Sequence, residues 1–206
     1  MLHGEFIPAA EKNEKRLLIW LHGLGDSVEG YRWLPEALNL PWLNYLLVNA
    51  PDEYYGGFSW FDYPDDMGPG ILRSRKLLFE LLDDGRGKGF DEITLGGFSQ
   101  GGLMTVDAGL RYPHRLAGLL DISGWVYEID VLLRELSPVA RTQRLLITHG
   151  PDDPLIPFGP VREQSQKLKM ARLKVEWHEF PKAHTIYGAE EIEVIRKFVR
   201  AGYFEK

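Results

Sequence analysis

Short apolar segments recur along the chain and alternate with segments of helical periodicity. Each apolar segment is nearly continuous in Leu, Ile and Val, which is typical of strands that are covered on both faces of a parallel sheet. We predict such strands at residues 16–21, 45–48, 92–95, 116–122 and 144–148, and helices at residues 71–82, 99–110, 160–171 and 189–199. The alternation predicts an α/β fold in which helices flank a mostly parallel central sheet.

Residues 173–178 differ from the other strand candidates because their apolar and polar side chains alternate strictly. Such a strand has one face in contact with water, so we place it near an edge of the sheet. The sequence shows no internal repeat, no low-complexity segment and no linker. We therefore expect a single domain over residues 1–206.

The amino-acid composition excludes several classes of protein. The chain has no cysteine, which rules out a thiol nucleophile, a disulfide and a thiolate metal site. Its 24 basic residues against 30 acidic ones give a net charge of −6, without the basic excess of a nucleic-acid-binding protein. The charged N-terminal segment carries no signal-peptide pattern, and no apolar run approaches the roughly 18 residues of a membrane span. We therefore expect a cytoplasmic protein with no nucleic-acid partner and no membrane span.

A G-x-S-x-G motif joins an apolar strand candidate to a helical segment at residues 93–102, ITLGGFSQGG. In such an elbow the serine lies in a sharp turn, where the residues two before it and two after it must lack bulk. Gly97 and Gly101 meet that condition and leave the hydroxyl of Ser99 at a helix N-terminus, which favours developing negative charge. Ser99 is the candidate nucleophile, and a Gly-Ser-Gly loop without a catalytic role is the alternative.

The base that activates a serine is most often a histidine, and with this type of elbow it follows the nucleophile along the chain. His178 and His184 both follow Ser99. His178 lies on the polar phase of the alternating strand, where a solvated histidine is expected, whereas His184 lies in the turn between that strand and the last helix. We therefore choose His184 as the base.

The acid that orients the histidine is expected in the loop after the strand at residues 144–148. That loop contains the adjacent residues Asp152 and Asp153, flanked by two prolines. Pro154 biases Asp153 towards extended geometry, from which its carboxylate projects as a fixed acceptor. Asp153 is therefore preferred over Asp152, although both also suit an ordinary turn.

The oxyanion hole requires two backbone N–H donors that point to one position. Gln100 supplies one because it follows the nucleophile, and Leu24 in the glycine-rich segment 21–26, LHGLGD, is the candidate for the other. A glycine-rich loop at this place could also cradle a phosphate, but neither G-x-G-x-x-G nor G-K-[S/T] occurs there. We expect no metal and no cofactor.

Residues 51–70 interrupt the alternation of strands and helices with six aromatic and five acidic side chains and no Lys or Arg. A segment of this kind either attaches itself to the core through its aromatic residues or forms a wall of the substrate pocket. Both interpretations stay open. If the segment borders the pocket, anionic substrates are disfavoured there, because no cation offsets the acidic residues.

Five motifs are distributed over nearly the whole chain. They are LHGLGD at residues 21–26, SWFD at 59–62, GFSQGG at 97–102, Ser-Gly at 123–124, and an HGxxDxxVP-like loop at 149–157 with Ile156 in place of Val. Together they resemble the phospholipase/carboxylesterase family of α/β-hydrolases, which contains acyl-protein thioesterases and small bacterial carboxylesterases. The resemblance implies an α/β-hydrolase fold without a large cap domain. It also implies Ser99, Asp153 and His184 as catalytic residues, with Leu24 and Gln100 in the oxyanion hole.

The resemblance further implies which residues contact the substrate. They are Phe58, Trp60, Phe61, Trp125 and Ile156. Two features depart from the family pattern: Gly57-Phe58 precedes SWFD where many relatives have Met-Arg or Met-Pro, and the segment between Asp62 and Ile71 is short. A short segment at this place predicts a short acyl channel.

The sequence therefore predicts a serine carboxylic-ester hydrolase that forms an acyl-enzyme and acts on neutral esters of short to medium acyl chains, about four to eight carbons. An acyl-protein thioesterase or a lysophospholipase is the alternative within the family. A hydrolase-fold binding module with a decayed site is the alternative outside enzymes. The expected partner is a small-molecule ester or thioester, and a homodimer is left open.

Overall fold

The computed structural model describes residues 2–204 and contains nine β-strands in that range. Their bounds are β1 Gly4–Ile7, β2 Arg16–Leu21, β3 Asn44–Val48, β4 Asp52–Tyr54, β5 Gly57–Ser59, β6 Glu92–Phe98, β7 Gly118–Ile122, β8 Arg144–His149 and β9 Lys174–Glu179. Seven strands form one sheet in the order β1-β3-β2-β6-β7-β8-β9, and β4 pairs with β5 as a separate hairpin. β1 is antiparallel to β3, whereas all other neighbours in the sheet are parallel.

Six α-helices pack on the two faces of the sheet within the described residues. They are α1 Leu34–Leu38, α2 Met67–Gly87, α3 Gln100–Gly109, α4 Ile129–Arg134, α5 Phe158–Met170 and α6 Gly188–Phe204. α1 and α6 contribute to the core on one face, and α2, α3, α4 and α5 contribute to the core on the other. None of the helices in residues 2–204 has the length and apolar character needed to cross a membrane.

Strand β2 shows why the sequence forms a sheet that is covered on both sides. Leu17, Ile19 and Leu21 pack into one core cluster, while the alternate residues Leu18 and Trp20 pack into the other. All five are at most 1% exposed. Each such side chain stabilises the fold by roughly 1.5–3 kcal/mol through burial, so a continuous apolar run favours this central position.

The parallel register aligns the carboxyl ends of several strands at one edge of the sheet. Leu21 of β2 pairs with Gly97 of β6, and Ile122 of β7 pairs with Thr148 of β8. The segments that follow β2, β6, β8 and β9 therefore emerge at the same edge of the sheet. These are the segments that contain the candidate residues.

The predicted α/β arrangement with a mostly parallel sheet is confirmed, and β9 lies at the sheet edge as expected. Five elements were missed: the strands β1, β4 and β5 and the helices α1 and α4. Each has only three to six residues, which is too short for hydrophobic periodicity to be recognised. Helix α2 also extends beyond the predicted 71–82, from Met67 to Gly87.

Candidate active site

Ser99 occupies the turn between β6 and α3 in a backbone conformation that residues other than glycine rarely adopt. Its φ is 55° and its ψ is −117°, and its N–H donates to the Ile122 carbonyl at 2.9 Å. The turn depends on two glycines that pack against backbone. A Cβ at Gly97 would lie 2.5 Å from the Gly101 carbonyl, and a Cβ at Gly101 would lie 2.2 Å from the Leu21 carbonyl oxygen. Any side chain at either position would displace the turn that presents Ser99.

Ser99, His184 and Asp153 form a continuous line of hydrogen bonds. Ser99 Oγ lies 2.8 Å from His184 Nε2, and His184 Nδ1 lies 2.7 Å from Asp153 Oδ2. A carboxylate only accepts hydrogen bonds, so Nδ1 carries the proton and Nε2 of the neutral ring is the acceptor that faces the Ser99 hydroxyl. The structure thus brings together the three side chains chosen from the sequence.

Asp153 is held in its ionised form by several donors. Burial would raise the pKa of Asp153, but hydrogen bonds from the Ile156 N–H, from His184 and from the Leu155 N–H outweigh that effect, and the pKa lies below its usual value. Both N–H groups donate to Asp153 Oδ1 at 2.9 Å, which leaves Oδ2 for His184. The neighbouring Asp152 is exposed to solvent.

The other histidines near the sheet edge have structural contacts. His22 Nδ1 donates to the Gly23 carbonyl at 2.6 Å, and its Nε2 accepts from the Ala50 N–H at 3.0 Å. Burial lowers the pKa of both His22 and His149. His178 lies outside the site and pairs with Glu176 at 2.8 Å.

A buried ion pair fixes the loop that carries His184. Lys182 Nζ lies 2.6 Å from Glu191 Oε1, and both side chains are fully buried. The Glu191 carboxylate also accepts hydrogen bonds from the Thr148 hydroxyl and the Tyr187 N–H, which connects the loop to β8 and to the start of α6. Removal of either ion-pair partner would leave a buried charge uncompensated, so this contact strongly disfavours displacement of the loop. Sequence periodicity contains no signal for it.

Leu24 and Gln100 both lie on the wall of the cavity that contains Ser99. Gln100 is the first residue of α3, so its N–H has no partner within the helix and points towards the helix N-terminus. In the loop after β2, the N–H groups of Gly25 and Asp26 donate to the carbonyls of Phe58 and Gly23. These two N–H groups are thus committed, and the Leu24 N–H is the candidate donor of this loop.

The cavity at Ser99, called here the Ser99 cavity, has a volume of about 330 Å³. Its apolar walls include Trp125 and Ile156, two of the five residues expected to contact substrate. Tyr63 and Leu155 also line it, although they are not among those five residues. Tyr63 is one of the aromatic residues of the segment 51–70, and its ring packs against Trp125 at 5.8 Å.

Trp60 and Phe61 require a correction, because both are fully buried in the core and do not line the Ser99 cavity. The Trp60 indole N–H donates to the His22 carbonyl at 2.9 Å, and the Trp60 backbone N–H donates to the Gln100 side chain at 3.0 Å. Phe61 supports the cavity only from behind, through an edge contact with Trp125 at 6.1 Å. An indole with a paired N–H is stable in the core, and this explains why the Trp60 ring turns inward, whereas the Phe61 ring is simply apolar and packs in the core.

Phe58 is also absent from the lining of the Ser99 cavity. Its backbone forms a bridge with the loop after β2, donating to the Asp26 carbonyl and accepting from the Gly25 N–H at 2.9 Å each. The expectation of substrate contact is therefore corrected for Phe58 as well. In the segment 51–70, attachment to the core accounts for Trp60 and Phe61, and a role as pocket wall fits Tyr63.

Asp121 in β7 is a fully buried acid behind the elbow. Burial raises its pKa to about 7, and the Gly124 N–H and the Lys182 ammonium only partly oppose that effect. Neither carboxylate oxygen accepts a hydrogen bond of normal geometry within the described residues. The carboxylate of Asp121 is tightly packed, because a Cβ at Gly102 would lie 2.3 Å from Asp121 Oδ1. Asp121 is therefore protonated in mildly acidic solution.

We expect Asp121→Asn to flatten the dependence of stability on pH. The folded-state pKa of Asp121, about 7, exceeds the unfolded value of about 3.9, so the folded protein binds more protons and its free energy of unfolding falls as pH rises between these values. A neutral amide removes this loss. Between about pH 5 and pH 8 the free energy of unfolding of the wild type should fall by roughly 2–3 kcal/mol more than that of the variant. Urea unfolding at each pH measures this difference.

Asp152→Asn is the matched control for that experiment because Asp152 is an exposed aspartate. This control should keep the pH dependence of the wild type. An equal slope in wild type and Asp121→Asn would contradict the raised pKa of Asp121.

Comparison with known proteins agrees with the fold and the motifs. A family model described as Phospholipase/Carboxylesterase matches residues 2–202. Acyl-protein thioesterase 1 of Schizosaccharomyces pombe is 35% identical over 201 residues, which cover 89% of this chain and 89% of that protein. Carboxylesterase SOBER1 of Arabidopsis thaliana is 26% identical over 205 residues, with 90% of each chain covered.

Solved structures are similar over nearly the full length. The crystal structure of esterase PE8 has a TM-score of 0.87 at 26% identity and covers 97% of this chain and 98% of its own. The crystal structure of Arabidopsis thaliana SOBER1 has a TM-score of 0.82 at 26% identity, covering 91% of this chain and 99% of its own. These similarities confirm the predicted α/β-hydrolase fold without a large cap domain. Because the family model spans almost the whole chain and a relative at 35% identity covers most of it, the chain is an ester hydrolase of the phospholipase/carboxylesterase family.

Proposed function

We propose that Ser99, His184 and Asp153 carry out ester hydrolysis through an acyl-enzyme. The observation that supports this most directly is the line of two hydrogen bonds, 2.8 Å and 2.7 Å long, from Ser99 through His184 to Asp153. The line ends at a cavity whose wall includes Leu24 and Gln100. A nucleophile, an oriented base and backbone donors around one position are the parts that acyl transfer requires.

In the proposed reaction, Ser99 Oγ attacks the acyl carbon while its proton moves to His184 Nε2. The N–H groups of Leu24 and Gln100 stabilise the oxyanion that forms. The bond from the acyl carbon to the leaving oxygen or sulfur then breaks, and His184 gives the proton to that atom. Water, deprotonated by His184, attacks the acyl-enzyme, which releases the carboxylic acid and restores Ser99.

The substrate that we propose is a neutral ester with a short to medium acyl chain. The Ser99 cavity, at about 330 Å³, is at the small end of the roughly 300–1,000 Å³ found for ligand pockets. Among the described residues its lining contains the acid Asp26 but no Lys or Arg, so an anionic group would lose its hydration without gaining a counter-charge. The small volume and the lack of a cation both favour small, uncharged acyl groups.

A thioesterase is the second candidate, because the Schizosaccharomyces pombe relative at 35% identity is an acyl-protein thioesterase 1. The proposed chemistry is the same for esters and thioesters, and acyl length separates the two functions. We expect kcat/KM for butanoyl and octanoyl esters to exceed that for palmitoyl thioesters or lysophospholipid by roughly tenfold or more. A preference for palmitoyl thioesters would establish the thioesterase instead.

The binding-module alternative is tested with an excess of an activated ester, by following release of the leaving group before the steady state is reached. An enzyme that forms an acyl-enzyme gives a burst of one leaving group per chain, whereas a binding module gives none. The cytoplasmic location, the single domain and the absence of a nucleic-acid partner stay predictions from the sequence, and a homodimer is left open.

A further inference from the structure

A second and larger cavity adjoins the Ser99 cavity at His184. It has a volume of about 870 Å³, and Asp26, Phe98 and His184 line both cavities. One wall comes from residues 30–37, and the other comes from residues 185–196 at the start of α6. We call it the Trp33 groove. Ser99 does not line it, so His184 stands at the boundary between the two spaces.

The walls of the Trp33 groove are largely apolar and partly aromatic. Trp33 is 41% exposed although it is a large apolar side chain. Its indole N–H donates to the Gly30 carbonyl at 2.7 Å, and its ring lies 6.3 Å from that of Tyr31. Ile186 and Ile192 contribute apolar surface from the other wall. These contacts fix the indole, so the aromatic surface is formed before any ligand arrives.

Within the described part of the chain, the groove offers no unpaired cation to an anionic ligand. Arg196 is the one basic residue among the lining residues that the structure describes. Its Nε and Nη2 donate to the carbonyls of Leu38 and Ala37 at 2.7 Å and 2.8 Å, and its Nη1 pairs with Glu193. With Arg196 committed and Asp26 also on the lining, phosphate or carboxylate groups are disfavoured.

The proposed reaction determines which part of the substrate lies on this side. His184 Nε2 must reach the leaving oxygen or sulfur to return the proton, so the leaving group has to contact the imidazole. In the proposed reaction the Leu24 and Gln100 N–H groups hold the acyl carbonyl, which places the acyl chain in the Ser99 cavity. The remainder of the leaving group therefore continues past His184 into the Trp33 groove.

We propose that the Trp33 groove is the subsite for the leaving group, and that it selects uncharged aromatic alcohols or thiols. This inference rests on the proposed function, because it uses His184 as the proton donor. The groove is more than twice as large as the Ser99 cavity, about 870 Å³ against about 330 Å³. The enzyme therefore takes esters in which the alcohol or thiol part is larger than the acyl part.

The test holds the acyl group constant as butanoate and varies the alcohol among ethanol, benzyl alcohol, 2-naphthylmethanol and 4-carboxybenzyl alcohol. These alcohols all leave from a CH₂–O group, so differences in kcat/KM among the esters report mainly how well the alcohol part binds. We expect kcat/KM to rise about tenfold or more from the ethyl to the naphthylmethyl ester, because aromatic surface is buried against Trp33. The carboxybenzyl ester should be poorer than the benzyl ester at low salt, and the difference should shrink at high salt.

Variants assign this selectivity to the groove. Trp33→Ala should lower the ratio of kcat/KM for the naphthylmethyl ester over the ethyl ester about tenfold. Ala189→Trp should lower the same ratio because the new side chain on α6 occupies the space that the naphthyl ring would fill. Tyr55→Ala is the matched control, because Tyr55 is a 96% exposed aromatic residue outside the groove, and it should keep the wild-type ratio.

The proposed subsite would be contradicted if the wild type hydrolysed the naphthylmethyl and ethyl esters with nearly equal kcat/KM, or if neither groove variant changed the ratio of these two values. Ester hydrolysis itself would continue in both cases. Loss of the proposed function looks different, since no ester of the series would then be hydrolysed by the wild type.

Discussion

Replacement of Ser99 by alanine is expected to lower kcat for an activated ester by a factor of about 10³ to 10⁶. The change removes the only atom that can form the acyl-enzyme in the proposed reaction, while Leu24, Gln100 and the cavity stay in place. The elbow should still fold, because Gly97 and Gly101, which make the close backbone contacts, are unchanged. Initial rates over a range of substrate concentrations measure the loss.

Covalent labelling provides an independent readout for the same variant. A fluorophosphonate should add once per chain to the wild type and not at all to Ser99→Ala. Ser123→Ala is the matched control, because Ser123 is a buried serine after the neighbouring strand β7 whose hydroxyl has no partner within the described residues. The control should label as the wild type does, and labelling that persists in Ser99→Ala would place the nucleophile elsewhere.

Replacement of Asp153 by asparagine is expected to lower kcat by about 10⁴, the loss found when the corresponding acid of a serine protease is changed in the same way. The amide NH₂ cannot accept the proton of His184 Nδ1, so the imidazole loses the orientation and tautomer that aim Nε2 at Ser99. The side-chain oxygen of asparagine can still accept from the N–H groups of Leu155 and Ile156, which preserves the loop.

Asp152→Asn is the matched control because it changes an adjacent carboxylate that is exposed to solvent. It should change kcat by less than about tenfold. If Asp152→Asn were the more damaging change, the assignment of the acid would be reversed. Stability of both variants is measured alongside activity, so that unfolding is not mistaken for lost chemistry.

The sequence alone determined the sheet and the meeting of Ser99, Asp153 and His184. The central strands are apolar on both faces, so their pattern requires helices on both sides and parallel neighbours. In a parallel sheet the segments after successive strands emerge at one edge, and each candidate residue follows a strand. The sequence also predicted local conformation within the loops. Pro154, for example, favours an extended backbone at Asp153. Short elements such as β1 and α1 could not be predicted, because they have too few residues to show a hydrophobic periodicity.

Only the tertiary structure decided which aromatic side chains face a ligand. Trp60 and Tyr63 lie three residues apart in one segment, yet Trp60 is fully buried and Tyr63 lines the Ser99 cavity. In an irregular segment no fixed period sets the direction of a side chain, so its direction depends on partners elsewhere in the chain. The partners of Trp60 are His22 and Gln100, which are distant in sequence.

The ion pair that fixes the His184 loop and the Trp33 groove were likewise decided by contacts between distant segments. Lys182 and Glu191 are hydrophilic residues that a pattern assigns to the surface, and burial becomes favourable only when each finds its partner in the folded chain. The Trp33 groove forms between residues 30–37 and the start of α6, two segments at opposite ends of the sequence. The periodicity of a chain encodes which face of each element is buried, whereas the space between two elements exists only after both have packed on the sheet.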